Sequence, residues 1–418
     1  MRGTGRRVAI TGLGVVAPCG LGKEAFWQGL LGPGLSGGGP SSVISDWDPS
    51  PYYDSPKDSR RADLVEQFAV AAAIEAIEQA GELTADPARI GTIFGTGVGG
   101  IHTLEEQEHI RMEKGERRVS PFLVPMMMAN ASGAAVSMRF GYRGPAETIC
   151  TACAAGTHAL TYAARLIAWD MADAVVSGGS EHAGTVTAIA GFNNMTALSG
   201  SGTSRPFDVD RDGFVMGEGA AAFVLEEWEA AHARGATILG EVLGGASNAD
   251  AHHITAPAPG GVGAITCMQM ALDDAGLQPG DIKQINAHGT STPLNDAAEA
   301  AAITAVFGPD GPPVVSTKGV TGHALGAAGA LEAAAVVLSI QHRLIPPTAN
   351  TKVIEDEMQI DVVMGGASNA DAHHITAPAP GGVGAITCMQ MAVDDAGLEP
   401  GDIKQINAHG TSTPLNDA

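Results

Sequence analysis

Apolar residues in the N-terminal part of the chain fall into continuous runs and into segments with helical spacing. Residues 6–16 form a mostly apolar run that ends at Pro18 and Gly20, which is typical of a strand buried on both faces of a sheet. Residues 62–80 carry apolar side chains at helical spacing and stop at Gly81, a common helix terminator. The pattern therefore predicts a buried strand and then a helix.

The order of strand, helix and strand recurs along the chain. Ile90–Thr96 and Ala174–Ser177 have the pattern of short buried strands, with a helical pattern at Tyr162–Trp169 between them. From about residue 236 the order restarts, with strands predicted at Ile238–Leu243 and Ile282–Asn286 and a helix at Ala264–Ala275. Such alternation predicts an α/β protein with parallel sheets covered by helices. Two βα-rich halves, residues 1–235 and 236–364, suggest a duplicated fold.

A second and much closer repeat forms a third segment. Residues 365–418 repeat residues 244–297 almost letter for letter, with two differences, Leu272 against Val393 and Gln278 against Glu399. Two nearly identical segments can compete for one structural position, which favours swapping or misfolding. A solenoid would need several adjacent copies, whereas unrelated sequence separates these two.

Length and charge limit the classes of partner. A chain of 418 residues is long enough for two lobes or one large layered domain. The net charge of −23 argues against nucleic acid or an anionic membrane as partner, since no global positive field attracts phosphates. An acidic partner protein would need a local basic patch, for which the candidates are Lys57, Arg60 and Arg61 and, separately, Arg117 and Arg118. For any single one of these, ordinary solvated charge is the commoner explanation.

The cysteines and the apolar runs indicate a soluble cytoplasmic protein. The five cysteines show no spacing that suggests a disulfide framework or a zinc site. The apolar run after the basic N-terminus is broken by glycines, unlike a signal peptide. The longest apolar stretch, around Ala324–Ile340, contains Glu332 and is too short and too rich in Ala and Gly to predict a membrane span. We expect neither a metal nor a cofactor.

A thiol in a turn of small residues is the first candidate for chemistry. Cys153 lies in Thr151–Gly156, just before a helical pattern. A helix N-terminus favours the thiolate, so we expect a lowered thiol pKa and a usable nucleophile. A buried structural cysteine is nevertheless the commoner fate of a lone Cys.

Two histidines and a lysine complete the candidate set. His288 and His323 each lie beside glycines where strands are expected to pass into loops, a usual position for catalytic groups. Lys318 supplies positive charge, and Glu332, in a helical stretch, is its expected ionic partner. Each residue alone has an ordinary structural explanation; together with Cys153 they indicate thioester chemistry.

With these segments in place, the chain resembles the β-ketoacyl-acyl-carrier-protein synthases of the elongating type II class, condensing enzymes of the thiolase superfamily. The resemblance runs from about residue 6 to 364. Its signatures are Val8–Pro18, Arg117–Pro125, Thr151–Gly156, Ser204–Gly219, Asn286–Pro293 and Ser316–Gly329.

The resemblance implies a homodimer with a thiolase-like five-layer αβαβα fold of two pseudo-duplicated halves. It also implies acyl-chain elongation in fatty acid biosynthesis, with Cys153 accepting the acyl chain from acyl carrier protein. His288 and His323 would hold the malonyl thioester carbonyl and stabilise the enolate formed by loss of carbon dioxide, and Lys318 would organise the site with Glu332. Neutral imidazole N–H groups suit this role, because a developing enolate oxygen needs donors already aimed at it.

Alternatives within the family remain open. The intact Cys153 argues against decarboxylation-only enzymes and chain-length factors, and the paired histidines argue against chain-initiating synthases. A type II polyketide or polyene ketosynthase shares the same motifs. By resemblance Val98 lies near the acyl pocket, and its small size hints at room for a longer chain.

The resemblance fails after residue 364. Family members carry there a hairpin with a Gly-Phe-Gly-Gly-X-Asn loop, which gives a gating phenylalanine and one of two oxyanion donors; no such sequence occurs here. Loss of one such donor typically costs about 10²–10³ in rate. The duplicated segment presents His409 as a copy of His288, but only His288 is followed by Lys318 and His323 at the family spacing.

Three origins of the duplicated segment are open. We favour a recombined or misassembled gene, which would make the chain a damaged synthase. A genuine variant could instead borrow its missing loop from a partner chain. The chain could also be an inactive or partner-dependent subunit of a heterodimer.

Overall fold

The computed structural model describes residues 5–253 and 256–364 and the backbone of Ser368–Asn369. The remainder of the duplicated segment, including His409 and Cys388, lies outside the described residues. The strands in chain order are β1 (Val8–Ala17), β2 (Gly20–Leu21), β3 (Ile90–Gly95), β4 (Ala146–Ile149), β5 (Ala174–Glu181), β6 (Gly219–Glu227), β7 (Gly240–Glu241), β8 (Ile285–Asn286), β9 (Val314–Val315), β10 (Leu344–Ile345) and β11 (Ser368–Asn369).

The α-helices are α1 (Lys23–Leu30), α2 (Pro56–Ser59), α3 (Leu64–Ala80), α4 (Ile101–Lys114), α5 (Leu123–Met127), α6 (Ala131–Phe140), α7 (Ala155–Ala168), α8 (Val186–Asn194), α9 (Trp228–Ala233), α10 (Val262–Ala275), α11 (Pro293–Phe307), α12 (Lys318–Thr321) and α13 (Ala328–His342). Short 3₁₀ helices occupy Ser50–Tyr52, Pro87–Arg89, Glu116–Arg118, Ala152–Ala154, Pro259–Gly261, Pro279–Asp281 and Leu325–Ala327.

The main sheet has the strand order β2-β1-β6-β5-β3-β4, and β7 also pairs with β1. β3 runs parallel to β4 and β5, whereas β6 runs antiparallel to β1 and β5. The prediction of parallel strands is therefore confirmed for β3, β4 and β5 and wrong for β1 and β6. Because helices cover both faces of the sheet, β6 is as apolar as a parallel strand. The apolar pattern therefore does not reveal its direction.

Strand β1 and helix α3 form where the apolar pattern predicted them. All ten residues of β1 are buried. In α3 the side chain of Asp63 accepts a hydrogen bond from the backbone N–H of Val65, and Gly81 ends the helix with φ of 76°. Gly12 and Gly14 of β1 lie against the backbone of α3 where a Cβ atom would collide. These glycines let the Ala-rich helix pack closely on the sheet.

The layers follow from what each helix packs against. Helices α3 and α6 cover one face of the main sheet, and α7 and α13 cover the other. Helix α13 also contacts β8 and β10 of the second half, and α10 packs against α11 there. The resulting αβαβα order confirms the predicted thiolase-like five-layer fold. The second-half core consists of Phe207, Ala287, Ala300, Ile303, Val314, Met358 and Val362.

Sheets of the second half are short in the described part of the chain. β8 pairs with β9 in parallel, and β10 pairs with β11 antiparallel. The strands predicted at Ile238–Leu243 and Ile282–Asn286 are reduced to two residues each, β7 and β8. β11 belongs to the duplicated segment; the same dipeptide in the first copy, Ser247–Asn248, forms no strand.

One segment has the length and composition of a membrane span. Leu325–His342 comprises 18 residues with a mean hydropathy of 1.3, so the sequence argument that this region is too short for a span does not hold. The segment is 61% buried in the protein, and α13 lies between the two halves. It is a core helix.

Candidate active site

Cys153 is held on a turn between β4 and α7. The 3₁₀ helix Ala152–Ala154 contains Ala152 with φ of 51°, a left-handed conformation that a non-glycine residue adopts at some energetic cost. At Gly156 a Cβ atom would lie 2.7 Å from the backbone nitrogen of Ala330 in α13. The small residues after Cys153 therefore allow the nucleophile's turn to pack directly on the central helix.

The structure brings the thiol and both imidazoles together. The Sγ of Cys153 lies 3.0 Å from the Nε2 of His323. The rings of His323 and His288 are 5.2 Å apart between centroids and nearly perpendicular, at 83°. His323 is held by its backbone N–H, which donates to the carbonyl of Val215 at 2.8 Å. The predicted grouping of these three residues is present in the fold.

Lys318 connects His288 to Glu332. Its side chain is 1% exposed and forms an ion pair with Glu332, as predicted. Its Nζ donates to the backbone carbonyl of His288 at 2.7 Å and lies 3.3 Å from the Nδ1 of that ring. Because an ammonium group can only donate, Nδ1 accepts and the ring proton resides on Nε2.

Burial keeps both histidines neutral. Burial lowers the pKa of His288 and of His323 well below the ordinary value, and the positive charge of Lys318 lowers both further. Two neutral rings agree with the expected role of hydrogen-bond donors to an oxyanion. An imidazolium would instead risk transferring its proton to the enolate.

The direction predicted for the thiol pKa is wrong. Burial raises the pKa of Cys153, and the opposing influences of Lys318 and of the backbone hydrogen bond at Cys153 are smaller. A helix N-terminus is visible in sequence, whereas the loss of water around a sulfur depends on tertiary packing. The resting residue is therefore a thiol, with its sulfur in contact with the Nε2 of His323.

Glu299 and Asp296 of α11 support His288 and were missed in the sequence. The two carboxylate oxygens of Glu299 accept from the backbone N–H groups of His288 and Gly289, each at 2.7 Å. Burial raises the pKa of Glu299 to about 7. Asp296 accepts from the backbone N–H of Ser291 at 3.1 Å. The available signal was two acidic residues three apart at the start of a helix that follows the histidine loop.

Cys153, His288 and His323 also resemble a metal-binding triad. Their ligand atoms all lie within 4.8 Å of one another, and thiolate with imidazole suits zinc. The ammonium group of Lys318, 3.3 Å from the Nδ1 of His288, opposes a second positive charge at this point. The arrangement is better suited to stabilising an anion.

An apolar cluster adjoins the thiol. Cys153 packs against a cluster that consists of the buried residues Ala183, Leu198, Phe214, Met216 and Leu325 and of Ile101, Ile189, Phe192 and Ala197 around them. Val98 lies in the loop Gly97–Gly100, which precedes Ile101, and is 46% exposed. An acyl chain attached to Cys153 would meet apolar side chains on this side.

Comparison with known families agrees with this geometry. The model for the beta-ketoacyl synthase N-terminal domain matches residues 34–231, and the model for the beta-ketoacyl synthase C-terminal domain matches residues 239–352 and 360–418. The chain belongs to the beta-ketoacyl synthase family. The second part of the C-terminal match includes the duplicated segment, as expected for a copy of part of that domain.

Individual relatives cover most of the chain. The 3-oxoacyl-[acyl-carrier-protein] synthase 2 of Synechocystis sp. is 43% identical over 86% of this chain and 91% of its own length. The ishigamide ketosynthase/chain length factor structure has a TM-score of 0.80 at 34% identity, covering 88% of this chain and 94% of that one. A type II PKS acyl-carrier protein in complex with its ketosynthase, AntDE:AntF, has a TM-score of 0.76 at 31% identity, covering 87% and 93%.

Proposed function

We propose that this synthase elongates acyl chains by decarboxylative Claisen condensation in fatty acid biosynthesis. The observation that carries the proposal is the 3.0 Å approach of the Cys153 Sγ to the His323 Nε2, with the His288 ring beside it. The 43% identity to a 3-oxoacyl-[acyl-carrier-protein] synthase 2 supports this reaction.

The reaction divides into three steps. The sulfur of Cys153 attacks the thioester carbonyl of an acyl carrier, and the carrier thiol leaves with the proton. A malonyl thioester then loses its carboxylate as carbon dioxide, and the remaining electron pair forms an enolate. The enolate carbon attacks the acyl group on Cys153, which forms the β-ketoacyl product on the second carrier and releases the sulfur as a thiolate. The thiolate takes up a proton from water and becomes the resting thiol again.

The histidines act on the second step. The Nε2–H of His288, fixed by the contact of Lys318 with Nδ1, donates to the enolate oxygen together with His323. Lys318 and Glu332 position the ring and do not transfer protons. Since the charge of Lys318 is balanced by Glu332, removal of either partner leaves a buried uncompensated charge.

The partner we propose is an acidic acyl carrier protein. A contact connects the segments of the two basic clusters: the guanidinium of Arg61 lies 4.3 Å from the centre of the ring of Phe122, which follows Arg117 and Arg118 in the chain. Their members are all exposed: Lys57, Arg60, Arg61, Arg117 and Arg118. Phe122 precedes α5, whose Met127 carbonyl accepts from the N–H of Gly100. The basic surface thus adjoins the loop at the acyl pocket.

A second copy of the chain is the other partner. β4 is an edge strand of the main sheet, and Ala146 and Glu147 at its start are exposed. An exposed strand edge is a ready template for pairing with another chain. Met138 in the adjacent α6 is 77% exposed, which adds apolar surface to the same region. We place the homodimer contact here, and the protein in the cytoplasm, where its cysteines remain reduced.

The proposed domain division follows the two halves of the fold. Residues 1–235 carry the nucleophile and residues 236–364 carry His288, Lys318 and His323. The family matches, which change over between residues 231 and 239, support this boundary.

Labelling and turnover together test the catalytic role. We expect a cerulenin-type inhibitor to add to Cys153, read by intact mass, and acyl and malonyl carriers to give β-ketoacyl carrier with release of carbon dioxide. Cys153→Ser should abolish both results. Folded wild-type protein that gives neither adduct nor product would assign the chain to the alternative class, an inactive or partner-dependent subunit.

A second candidate is a type II polyketide ketosynthase, favoured by the likeness to the AntDE:AntF complex. Fatty acid elongation and polyketide synthesis can be distinguished by letting a saturated acyl carrier and a polyketone-bearing carrier compete for Cys153. We expect the saturated chain to load faster on Cys153. Faster loading of the polyketone would reverse the assignment.

A further inference from the structure

Glu181 ends β5 at a point where backbone segments from both halves meet. The residue is fully buried. Its Oε1 accepts from the hydroxyl of Thr96 at 3.0 Å, and its Oε2 accepts from the backbone N–H groups of Gly97 at 2.6 Å and Gly326 at 2.9 Å. A carboxylate that accepts three hydrogen bonds makes a strong and directional connection.

The backbone segments that meet at Glu181 lie too close together to leave room for further side chains. A Cβ atom on Gly179 would lie 2.8 Å from the carbonyl oxygen of Gly326, and one on Gly156 would lie 3.0 Å from the same oxygen. A Cβ atom on Gly326 would collide with the backbone at Gly97. Since glycines leave only main chain here, the carboxylate of Glu181 supplies the polar contact that joins the segments.

Both joined segments adjoin the apolar cluster around Cys153. Gly97–Gly100 carries Val98 and leads into Ile101, which packs in the cluster around Cys153. Leu325, in the 3₁₀ helix with Gly326, packs in the same cluster. Thr96 extends the connection, because its hydroxyl also accepts from the N–H of Gly99 at 3.2 Å.

We propose that Glu181 is a positioning residue for acyl-chain selection. By fastening the loop Gly97–Gly100 to the turn Leu325–Ala327, it fixes the packing of Ile101 and Leu325 in the apolar cluster next to Cys153 and so sets which acyl chains load. This inference rests on the proposed function of Cys153. Glu181 makes these hydrogen bonds to the loop and the turn and acts through them.

The test measures the ratio of loading rates of a long and a short saturated acyl carrier on Cys153, followed by intact mass. Glu181→Gln turns an amide N–H₂ toward backbone donors and breaks part of the connection. Thr96→Val removes the hydroxyl at nearly constant volume. We expect both variants to shift the ratio by about tenfold, the size of effect that a change in an apolar pocket produces.

Two controls separate positioning from general stability. Thr96→Ser keeps the hydroxyl and should retain the wild-type ratio. Glu226→Gln alters another buried carboxylate of the main sheet, which binds Thr11 and Arg234, and should lower stability without moving the ratio.

The outcomes are distinct. Wild-type protein that does not load Cys153 contradicts the proposed function. If the wild-type protein loads Cys153 and folded Thr96→Val keeps the wild-type ratio, the role of Glu181 is overturned. A shift of the ratio by Glu226→Gln that is as large as that of Thr96→Val also overturns it. The Thr96 pair keeps the test decisive if Glu181→Gln does not fold.

Discussion

The two halves of the synthase support their site residues differently. All ten residues of β1 and all eight of β5 in the first half are buried. In the second half, β8 is only partly buried, and of the fourteen residues of α10, all within the described chain, Leu272 alone is buried. The nucleophile lies directly before α7, nine of whose fourteen residues are buried, whereas His288 follows the short and partly buried strand β8.

In the second half, hydrogen bonds position the site residue, whereas in the first half the packing of buried side chains does so. The two oxygens of Glu299 accept from the backbone N–H groups of His288 and Gly289, and Lys318 donates to the backbone carbonyl of His288. Apolar packing does not fix the orientation of a polar group, whereas a carboxylate that accepts two hydrogen bonds fixes both N–H groups in distance and angle. The position of the imidazole thus depends on a few polar contacts that single substitutions can remove.

The largest expected difference between the halves is in stability. Phe223→Ala in β6, where the side chain is 1% exposed, should lower the free energy of unfolding by about 3–5 kcal/mol. Met270→Ala in α10, 43% exposed, should change it by less than about 0.5 kcal/mol. Urea unfolding followed by circular dichroism measures both. Equal losses would show that α10 is covered in solution.

The next effect concerns the two copies of the histidine segment. His288→Ala should reduce condensation by about 10²–10³, the usual loss for one oxyanion donor. His409→Ala is the matched control in the duplicate, and we expect its rate to equal that of the wild type. A comparable loss in the control would mean that the duplicate supplies an imidazole to the site.

Replacement of the duplicated segment should strengthen the second half. Exchanging residues 365–418 for a hairpin with the family's Gly-Phe-Gly-Gly loop adds one oxyanion donor and more strand, so we expect a rate about 10² higher and a higher Tm. Deletion of the same residues without insertion is the control and should give neither gain. If the exchanged protein keeps the original rate, the absent loop did not limit catalysis.

The smallest effect is a difference in pH dependence. Burial raises the pKa of Glu66 in the first half to about 8 and of Glu299 in the second to about 7, from an ordinary value of 4.5. Between 4.5 and these values the folded protein binds more protons than the unfolded chain, so stability falls as pH rises. Each group contributes at most about 1.4 kcal/mol per pH unit to that fall.

Glutamine variants test this assignment by urea unfolding across the same range. Glu299→Gln should flatten the fall in stability up to about pH 7, and Glu66→Gln should flatten it up to about pH 8. Asp58→Asn, at an exposed position, is the control and should keep the wild-type slope. Variants with the wild-type slope at both buried sites would contradict the raised pKa values.

Local patterns in the sequence predicted the first half well. β1, α3 and β3 appear within a few residues of their predicted bounds, because each is a continuous apolar run or a capped helix. The partnership of Lys318 with Glu332 was also predicted. The direction of β6 was not, since a strand covered on both faces is apolar in either direction.

Properties set by tertiary burial could not be predicted. The raised pKa of the Cys153 thiol depends on residues distant in sequence that exclude water. Glu181 and Glu299 have no motif of their own, and their importance comes from the backbone N–H groups they meet in the fold. Motifs in the sequence reveal the side chains that react, but they do not reveal the carboxylates that hold the surrounding backbone.

The pairing of Leu344–Ile345 with Ser368–Asn369 shows why an inserted copy can be accommodated. A β-ladder is built from main-chain groups that every residue except proline carries, so an open strand edge accepts almost any extended neighbour. The same two letters remain coil where no such edge is offered, at Ser247–Asn248. The conformation of these two residues is therefore set by the strand edge that they meet and not by their identity.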